Sequence, residues 1–370
     1  MRNFFKNITL IFSVTFILII SIDLILGNKI INFFFSNDKS VKHSIYHHDL
    51  DKNLNEKIIY NNVYEHSICT NNYGFKSSCI DKEKISKSVD YAFIGDSFTE
   101  GVGLNYAETF IGKFKNKKKN DQIINLGVES YSPKIYFKKL EHLLNQGFTF
   151  DRVIVFIDVG DILDENRYFI KSNGTVATKS TLKFVNTVYQ EYSELYKLKK
   201  ILKGLLPLST IFYNKIMTVK LNSNITINGS NDKREIKDNY LINSRWTYKN
   251  KFSKRDQIWV DKGREDAVFF MNKIFELSKI NNFKLSLAVY PWPAQILHDE
   301  DTGRTELGEF WESYCIKKCE NFLNYLDYFH QLKQEIEKEK IVELYYFKND
   351  VHFNQKGNDI IFKKLLETFK

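Results

Sequence analysis

Proline is scarce, four in 370 residues, too few for long Pro-rich linkers between modules. Cysteine is equally scarce at four. Neither local pair, Cys69 with Cys79 or Cys315 with Cys319, has the C-x-x-C spacing typical of zinc sites. The pairs fit a compartment in which disulfides persist. Four cysteines allow three connectivities, and spacing does not choose among them. No internal repeat and no nucleic-acid-binding motif is present. The formal net charge of +9 comes from scattered lysines, with short clusters at Lys117–Lys119 and around Lys197–Lys200. Such clusters read as solvated faces rather than a nucleic-acid footprint. A basic surface does suit anionic lipid or acidic glycan. Against these shortages, hydrophobic residues make up 43% and aromatics 15%, which excludes wholesale disorder and supplies a large core.

The first apolar run sets the expected location. Ile8 to Gly27 is apolar apart from a few hydroxyls and Asp23. Twenty helical residues span about 30 Å, the hydrocarbon thickness of a bilayer. Arg2 and Lys6 precede the run, which predicts a cytoplasmic N-terminus (1–7), an anchor (8–27) and an exported remainder. The run is long for a signal peptide, and no A-x-A-like cleavage site follows it. Asp23, near the outer end, is expected to reach the interface. Residues 28–87 are polar and read as an extracytoplasmic stalk or extension. His43, His47 and His48 within it read as surface residues rather than metal ligands.

From residue 88 the pattern becomes α/β. Tyr91–Ile94, Ile123–Leu126, Arg152–Ile157 and Leu285–Tyr290 are short apolar runs closed by Gly95, Gly127, Asp158 and Pro291. Such runs read as buried parallel strands. Tyr136–Leu144 and Glu265–Ile280 have helical spacing, and Ile360 to Leu366 predicts a final helix. Strands alternating with helices give a parallel sheet covered on both faces, a three-layer α/β/α sandwich, with ligands at the carboxyl ends of the strands. Residues 165–255 interrupt the rhythm as an insertion. It contains a helix candidate at Leu182–Leu206 and a polar loop at Asn222–Asp238. Asn173-Gly-Thr175, Asn224-Ile-Thr226 and Asn228-Gly-Ser230 match the glycosylation sequon, a match expected by chance in an Asn-rich chain.

The chemistry-bearing residues sit at the strand ends. Gly95-Asp96-Ser97-Phe98-Thr99-Glu100-Gly101 follows the first strand, so Ser97 occupies a strand-to-helix turn. Thr99 stands where a nucleophile elbow G-x-S-x-G has its second glycine, which argues against the α/β-hydrolase fold. Asn125-Leu126-Gly127 closes the second strand and Asp158-Val159-Gly160-Asp161 the third. Asn349-Asp350-Val351-His352 precedes the last helix. In these blocks, over about 88–160 and 283–370, the chain resembles the SGNH/GDSL hydrolase superfamily.

The resemblance implies a flavodoxin-like SGNH fold and a serine esterase or O-acyltransferase without a cofactor or metal. Ser97 would be the nucleophile, His352 its base and Asp350 the residue that orients the base. The Gly127 N–H would be an oxyanion donor, with Gly160 and Asp161 forming the third block of the site. Two departures stand out. Gly160 occupies the position where the family carries an Asn side-chain donor. Asn349 stands three residues before the histidine, where the common form has Asp, and Asp350 lies two before, a spacing shared with glycan O-acetyltransferases. Asp158, Asp161 and Asp164 have a rival reading as metal ligands; loop acids of this kind are usually structural. Trp292, in Pro291-Trp292-Pro293, is either a sugar-binding surface or a buried aromatic. The expected partners are an acylated cell-envelope or extracellular glycan, or another small ester, and the membrane through the N-terminal helix. A non-catalytic SGNH-fold envelope protein for glycan binding or assembly is the alternative, and a phospholipid esterase a third reading.

Overall fold

The computed structural model describes residues 2–35, 39–61, 63–80, 85–179, 209, 244–247, 254–299 and 305–370. The chain forms two compact units, Met1–Asp38 with Val185–Lys233, and Lys39–Phe184 with Arg234–Lys370. In the first, helix α1 (Arg2–Phe35) runs unbroken over the stretch expected to anchor the chain. Its side chains are described only in part, and among the described residues no helix is long and apolar enough to cross a membrane. Asp23 is buried rather than reaching outward, and its carboxylate accepts the backbone N–H of Ser209 at 2.7 Å.

The second unit opens with two antiparallel hairpins, β1 (Ser40–His43) with β2 (His47–Leu50), and β3 (Asn55–Tyr60) with β4 (Tyr64–Cys69). The α/β alternation follows as β5 (Ser88–Ile94), α2 (Ser97–Glu100), α3 (Phe110–Lys117), β6 (Ile123–Asn125), α4 (Pro133–Asn145), β7 (Thr149–Ile157) and α5 (Val159–Asp164). A small hairpin, β8 (Tyr168–Ile170) with β9 (Val176–Thr178), opens the insertion. Then come α6 (Lys254–Asn281), β10 (Lys284–Val289), α7 (Pro293–His298), α8 (Glu306–Cys315), β11 (Asn321–Asn324), α9 (Tyr325–Leu332), α10 (Lys338–Tyr345) and α11 (Gln355–Thr368). The insertion's helix candidate at Leu182–Leu206, its loop at Asn222–Asp238 and the sequons at Asn224 and Asn228 lie outside the described residues.

Five strands form one all-parallel sheet in the order β11-β10-β7-β5-β6. The last four residues of β5 and the last five of β7 and β10 are buried without alternation. This is the pattern of a sheet with helices on both faces. Helices α4 and α5 pack on α6, while α3 and α10 pack on α11. Phe93 and Phe156 of the sheet meet Phe110 of α3. Burying one aromatic of this kind is worth about 1.5–3 kcal/mol, so this aromatic cluster fixes α3 against the sheet. Caps mark where the helices start. Thr109 accepts from Gly112 N–H ahead of α3, and Asn354 accepts from Lys356 and Gly357 N–H ahead of α11.

The structure corrects the stalk reading for residues 39–80, which belong to the same compact unit as the sheet. Lys42, Asp51, Lys52, Glu56, Lys57 and Glu65 of this stretch are exposed, but Asp49 and Lys76 are buried and partnered. Lys139 Nζ meets Asp49 at 2.8 Å, and Tyr46 Oη donates to the same carboxylate at 2.6 Å. Lys76, fully buried, donates to the carbonyls of Gly101 and Leu104 at 2.7 and 3.0 Å. Buried polar groups must be hydrogen-bonded, and composition alone cannot tell paired charges from solvated ones. The histidines are likewise engaged. His48 Nε2 bonds the Glu129 carbonyl, His47 Nε2 bonds Thr178, and the two Nδ1 atoms lie 2.7 Å apart, so one ring donates to the other.

The cysteines pair locally, Cys69 with Cys79 and Cys315 with Cys319. Cys315 ends α8 and Cys319 lies four residues beyond it.

Candidate active site

Strand β5 delivers the chain into the carboxyl edge of the sheet. Asp96 caps α2 by accepting the Phe98 N–H at 3.0 Å, and Ser97 is the first helical residue. Its Oγ lies 2.7 Å from His352 Nε2. His352 Nδ1 lies 2.5 Å from Asp350 Oδ1, which also accepts the His352 backbone N–H at 2.9 Å. Asn349 occupies the left-handed region at φ 58°, a conformation Asn tolerates at turns. It makes the turn that turns Asp350 back onto the ring, which is why the carboxylate partner sits two residues before the histidine. Burial pushes the Asp350 carboxyl up, but the neighbouring His352 and the hydrogen bonds from His352 and Asn61 outweigh it and hold it well below the usual range. Asp350 is therefore ionised wherever the imidazole needs it.

Two residues that sequence reasoning missed complete this arrangement. Tyr60 Oη lies 2.8 Å from both Asp350 Oδ2 and His352 Nδ1, and Asn61 Nδ2 donates to Asp350 Oδ2 at 2.6 Å. Both come from the end of β3, in the stretch read as a stalk. No local signal marks them, because their partners lie 289 to 292 positions away.

The expected oxyanion donors are placed differently. The Gly127 N–H is not aimed at Ser97; it donates to Asn125 Oδ1 at 2.9 Å. Gly127 is glycine for packing, since a Cβ there would lie 2.6 Å from the Glu100 backbone nitrogen and 2.7 Å from Thr99. The Gly160 N–H is likewise taken, by Asp158 Oδ1 at 2.6 Å. A side chain at 160 is excluded by Trp292, whose Cζ2 would be 2.8 Å from the added Cβ. Trp292 is thus the buried aromatic, and its Nε1 donates to Asp158 Oδ2 at 2.6 Å. Asp161 is turned inward, accepting from Tyr136 Oη at 2.6 Å and from the Asp158 N–H at 2.8 Å. Among the described residues the Ser97 backbone N–H has no acceptor, as befits the first residue of a helix.

Asp96, Asp158 and Asp161 form a buried carboxyl cluster behind the nucleophile, with ligand atoms within 4.8 Å of one another. Protein donors meet all three. Asp96 Oδ1 also receives Tyr290 Oη at 2.9 Å, and Ser97 Oγ lies 3.4 Å from Oδ2. Burial, with the charge of Asp158 second, pushes Asp96 up to about 8. Burial raises Asp158 to about 6 against the hydrogen bonds of Trp292, Gly160 and Asp161. Burial, then Asp96 and Asp158, holds Asp161 well above its ordinary value. Like charges this close cannot all ionise, so the cluster retains protons at neutral pH.

The chain is similar to lipolytic G-D-S-L proteins and esterases. One is a lipolytic G-D-S-L family member from Veillonella parvula, at 12% identity, covering 76% of this chain and 97% of that one, TM-score 0.40. Another is an acetyl xylan esterase at 12% identity, covering 76% and 100%, TM-score 0.40. A third is an acetyl-xylooligosaccharide esterase from Geobacillus at 11% identity, covering 75% and 93%, TM-score 0.37. No family model matches the chain, and no curated protein matches it.

Proposed function

We propose that the chain is an SGNH-type serine hydrolase that cleaves or transfers acyl esters. One observation carries the reading: Ser97 Oγ, His352 Nε2 and Asp350 Oδ1 form a continuous hydrogen-bonded line from residues 255 positions apart. Ser97 Oγ bonds to the ester carbonyl carbon as its proton passes to His352 Nε2. The carbon–oxygen bond to the leaving alcohol breaks, and His352 returns that proton to the alcohol. Water or a second hydroxyl then attacks the acyl-serine, loses its proton to His352 and frees Ser97, which recovers a proton. Asp350 keeps the Nδ1–H tautomer in place and stabilises the imidazolium. The oxyanion falls to the Ser97 N–H. Loss of one oxyanion donor typically costs about 10²–10³ in rate, so slow turnover of unactivated esters is expected.

The reading extends to an exported, membrane-anchored enzyme acting on O-acylated envelope or extracellular glycan. Arg2 and Lys6 ahead of the apolar run, the unbroken helix α1 and the two disulfides support it. Leu10, Ile11 and Ile17 of α1 are 63–64% exposed, an apolar surface that a bilayer would cover. One observation favours the non-catalytic alternative: the N–H groups of Gly127 and Gly160 are both satisfied within the protein.

The full chain in detergent decides between them. A fluorophosphonate probe should label wild type at Ser97, and p-nitrophenyl acetate should be turned over. Ser97→Ala should abolish both, and His352→Ala should lower turnover nearly as far because the two act as a unit. An unchanged rate in Ser97→Ala hands the lead to the binding protein.

A further inference from the structure

The base arm of the site has an unusual construction. Asp350 and His352 share one tight turn, and a single oxygen, Asp350 Oδ1, serves both the backbone N–H and Nδ1 of His352. Nothing in that turn holds the second oxygen, Oδ2. It is held from outside, by Tyr60 and Asn61 on the β3–β4 hairpin.

The proton arrangement follows from chemistry. Asn61 Nδ2 can only donate to Oδ2. Tyr60 has one proton, and an ionised Oδ2 is its acceptor. Its oxygen then presents a lone pair 2.8 Å from His352 Nδ1. The Nδ1–H therefore has two acceptors, Asp350 Oδ1 and Tyr60 Oη. A ring held this way keeps Nε2 unprotonated and facing Ser97.

The hairpin is itself fixed to both sides of the site. Asn105 Oδ1 accepts the Ser67 N–H of β4 at 2.9 Å. Tyr60 packs on Phe347, with ring centroids 5.6 Å apart.

We propose that Tyr60 and Asn61 are positioning residues, which fix the plane of the Asp350 carboxylate and, through it, the Nδ1–H tautomer of His352. The hairpin ahead of the sheet is then part of the catalytic unit. The inference rests on the serine hydrolase reading and deepens it. It also accounts for the two-residue Asp-x-His spacing: a carboxylate on the histidine's own turn leaves one oxygen unbraced, and the hairpin braces it.

The test uses the full chain in detergent, with Tyr60→Phe, Asn61→Ala and Asn61→Asp. The readouts are kcat and KM for p-nitrophenyl acetate and the ring ¹⁵N shifts of His352, assigned by their loss in His352→Gln. Tyr60→Phe and Asn61→Ala should each lower kcat about 10-fold, the scale of removing an outer-shell partner of a functional imidazole, with KM within about two-fold. Their ring shifts should move from the Nδ1–H pattern toward a mixture with Nε2–H. Asn61→Asp, an exposed change that sets a like charge against Asp350, should cost more than Asn61→Ala without unfolding the chain. Wild-type kcat and unchanged ring shifts in Tyr60→Phe and Asn61→Asp would overturn the proposal. A merely structural role would lower the folded fraction and leave tautomer and KM-to-kcat balance untouched, and that also overturns it. If wild type neither labels with fluorophosphonate nor turns over ester, while the ring shifts still respond to Tyr60→Phe, the hydrolase reading fails and the brace stands.

Discussion

At the scale of the residue, the most consequential side chain after the reacting ones is Asp96. It is at once the cap of α2, the acceptor of Tyr290 and a neighbour of the nucleophile. Folded, it keeps its proton up to about pH 8, whereas an unfolded Asp ionises near pH 4. A carboxyl raised in this way adds stability that is complete below about pH 4 and is lost as pH climbs through about 8. Asp158, raised to about 6, acts in the same direction over a lower window. Asp96→Asn keeps an oxygen for the Phe98 N–H and Tyr290 O–H and removes the titration. Its melting temperature, followed by circular dichroism from pH 6 to 8.5, should fall less than that of wild type, by about 2–4 °C for a change near 1 kcal/mol. Parallel curves for the two proteins would rule out Asp96 as the source.

At the scale of the element, the parallel strands and their closing turns were legible because burial on both faces removes the need for polar alternation. Tyr91–Ile94 lengthens to Ser88–Ile94 and Arg152–Ile157 to Thr149–Ile157, while Leu285–Tyr290 becomes Lys284–Val289. The fifth strand, Asn321–Asn324, escaped because a four-residue edge strand with Asn at each end carries no hydrophobic run. Ser97, Asp350 and His352 were legible as candidates through the resemblance of the blocks that carry them, Gly95–Gly101 and Asn349–His352, and the structure brings the three side chains together. Gly127 and Gly160 were legible as special positions but not in role. Whether a backbone N–H is open or taken depends on the Asn125 and Asp158 side chains, and spacing does not reveal that. The β3–β4 hairpin was illegible, being short, polar and braced by distant partners. Its β4 end is tied by the Cys69–Cys79 disulfide, and closing a loop of this size contributes about 2–3 kcal/mol. Replacing both cysteines by Ala should speed amide exchange across Asn55–Cys69 while the exchange of β5 and β7 is unchanged, and kcat should fall with it. Exchange that accelerates uniformly across the sheet would mean the disulfide does not act on the hairpin in particular.

At the scale of the whole molecule, the expected export makes a simple demand. A reporter that works only outside the cytoplasm, fused after Lys370, should be active, and thiol counting on denatured, unreduced protein should find no free cysteine, since all four pair. A reporter active only inside, with four free thiols, would remove the anchored reading without touching the hydrolase one. The long span between Ser97 and His352 then has a consequence in time. If the domain is exported behind a cytoplasmic N-terminus, its residues emerge in chain order, so Tyr60, Asn61 and Ser97 would reach the far side long before His352. The 255 positions between Ser97 and His352 correspond to at least about 13 s of synthesis at roughly 5–20 residues per second. Throughout that interval the emerging serine would have no base. On the hydrolase reading, a chain interrupted before Asp350 and His352 would lack its base and have no activity to release.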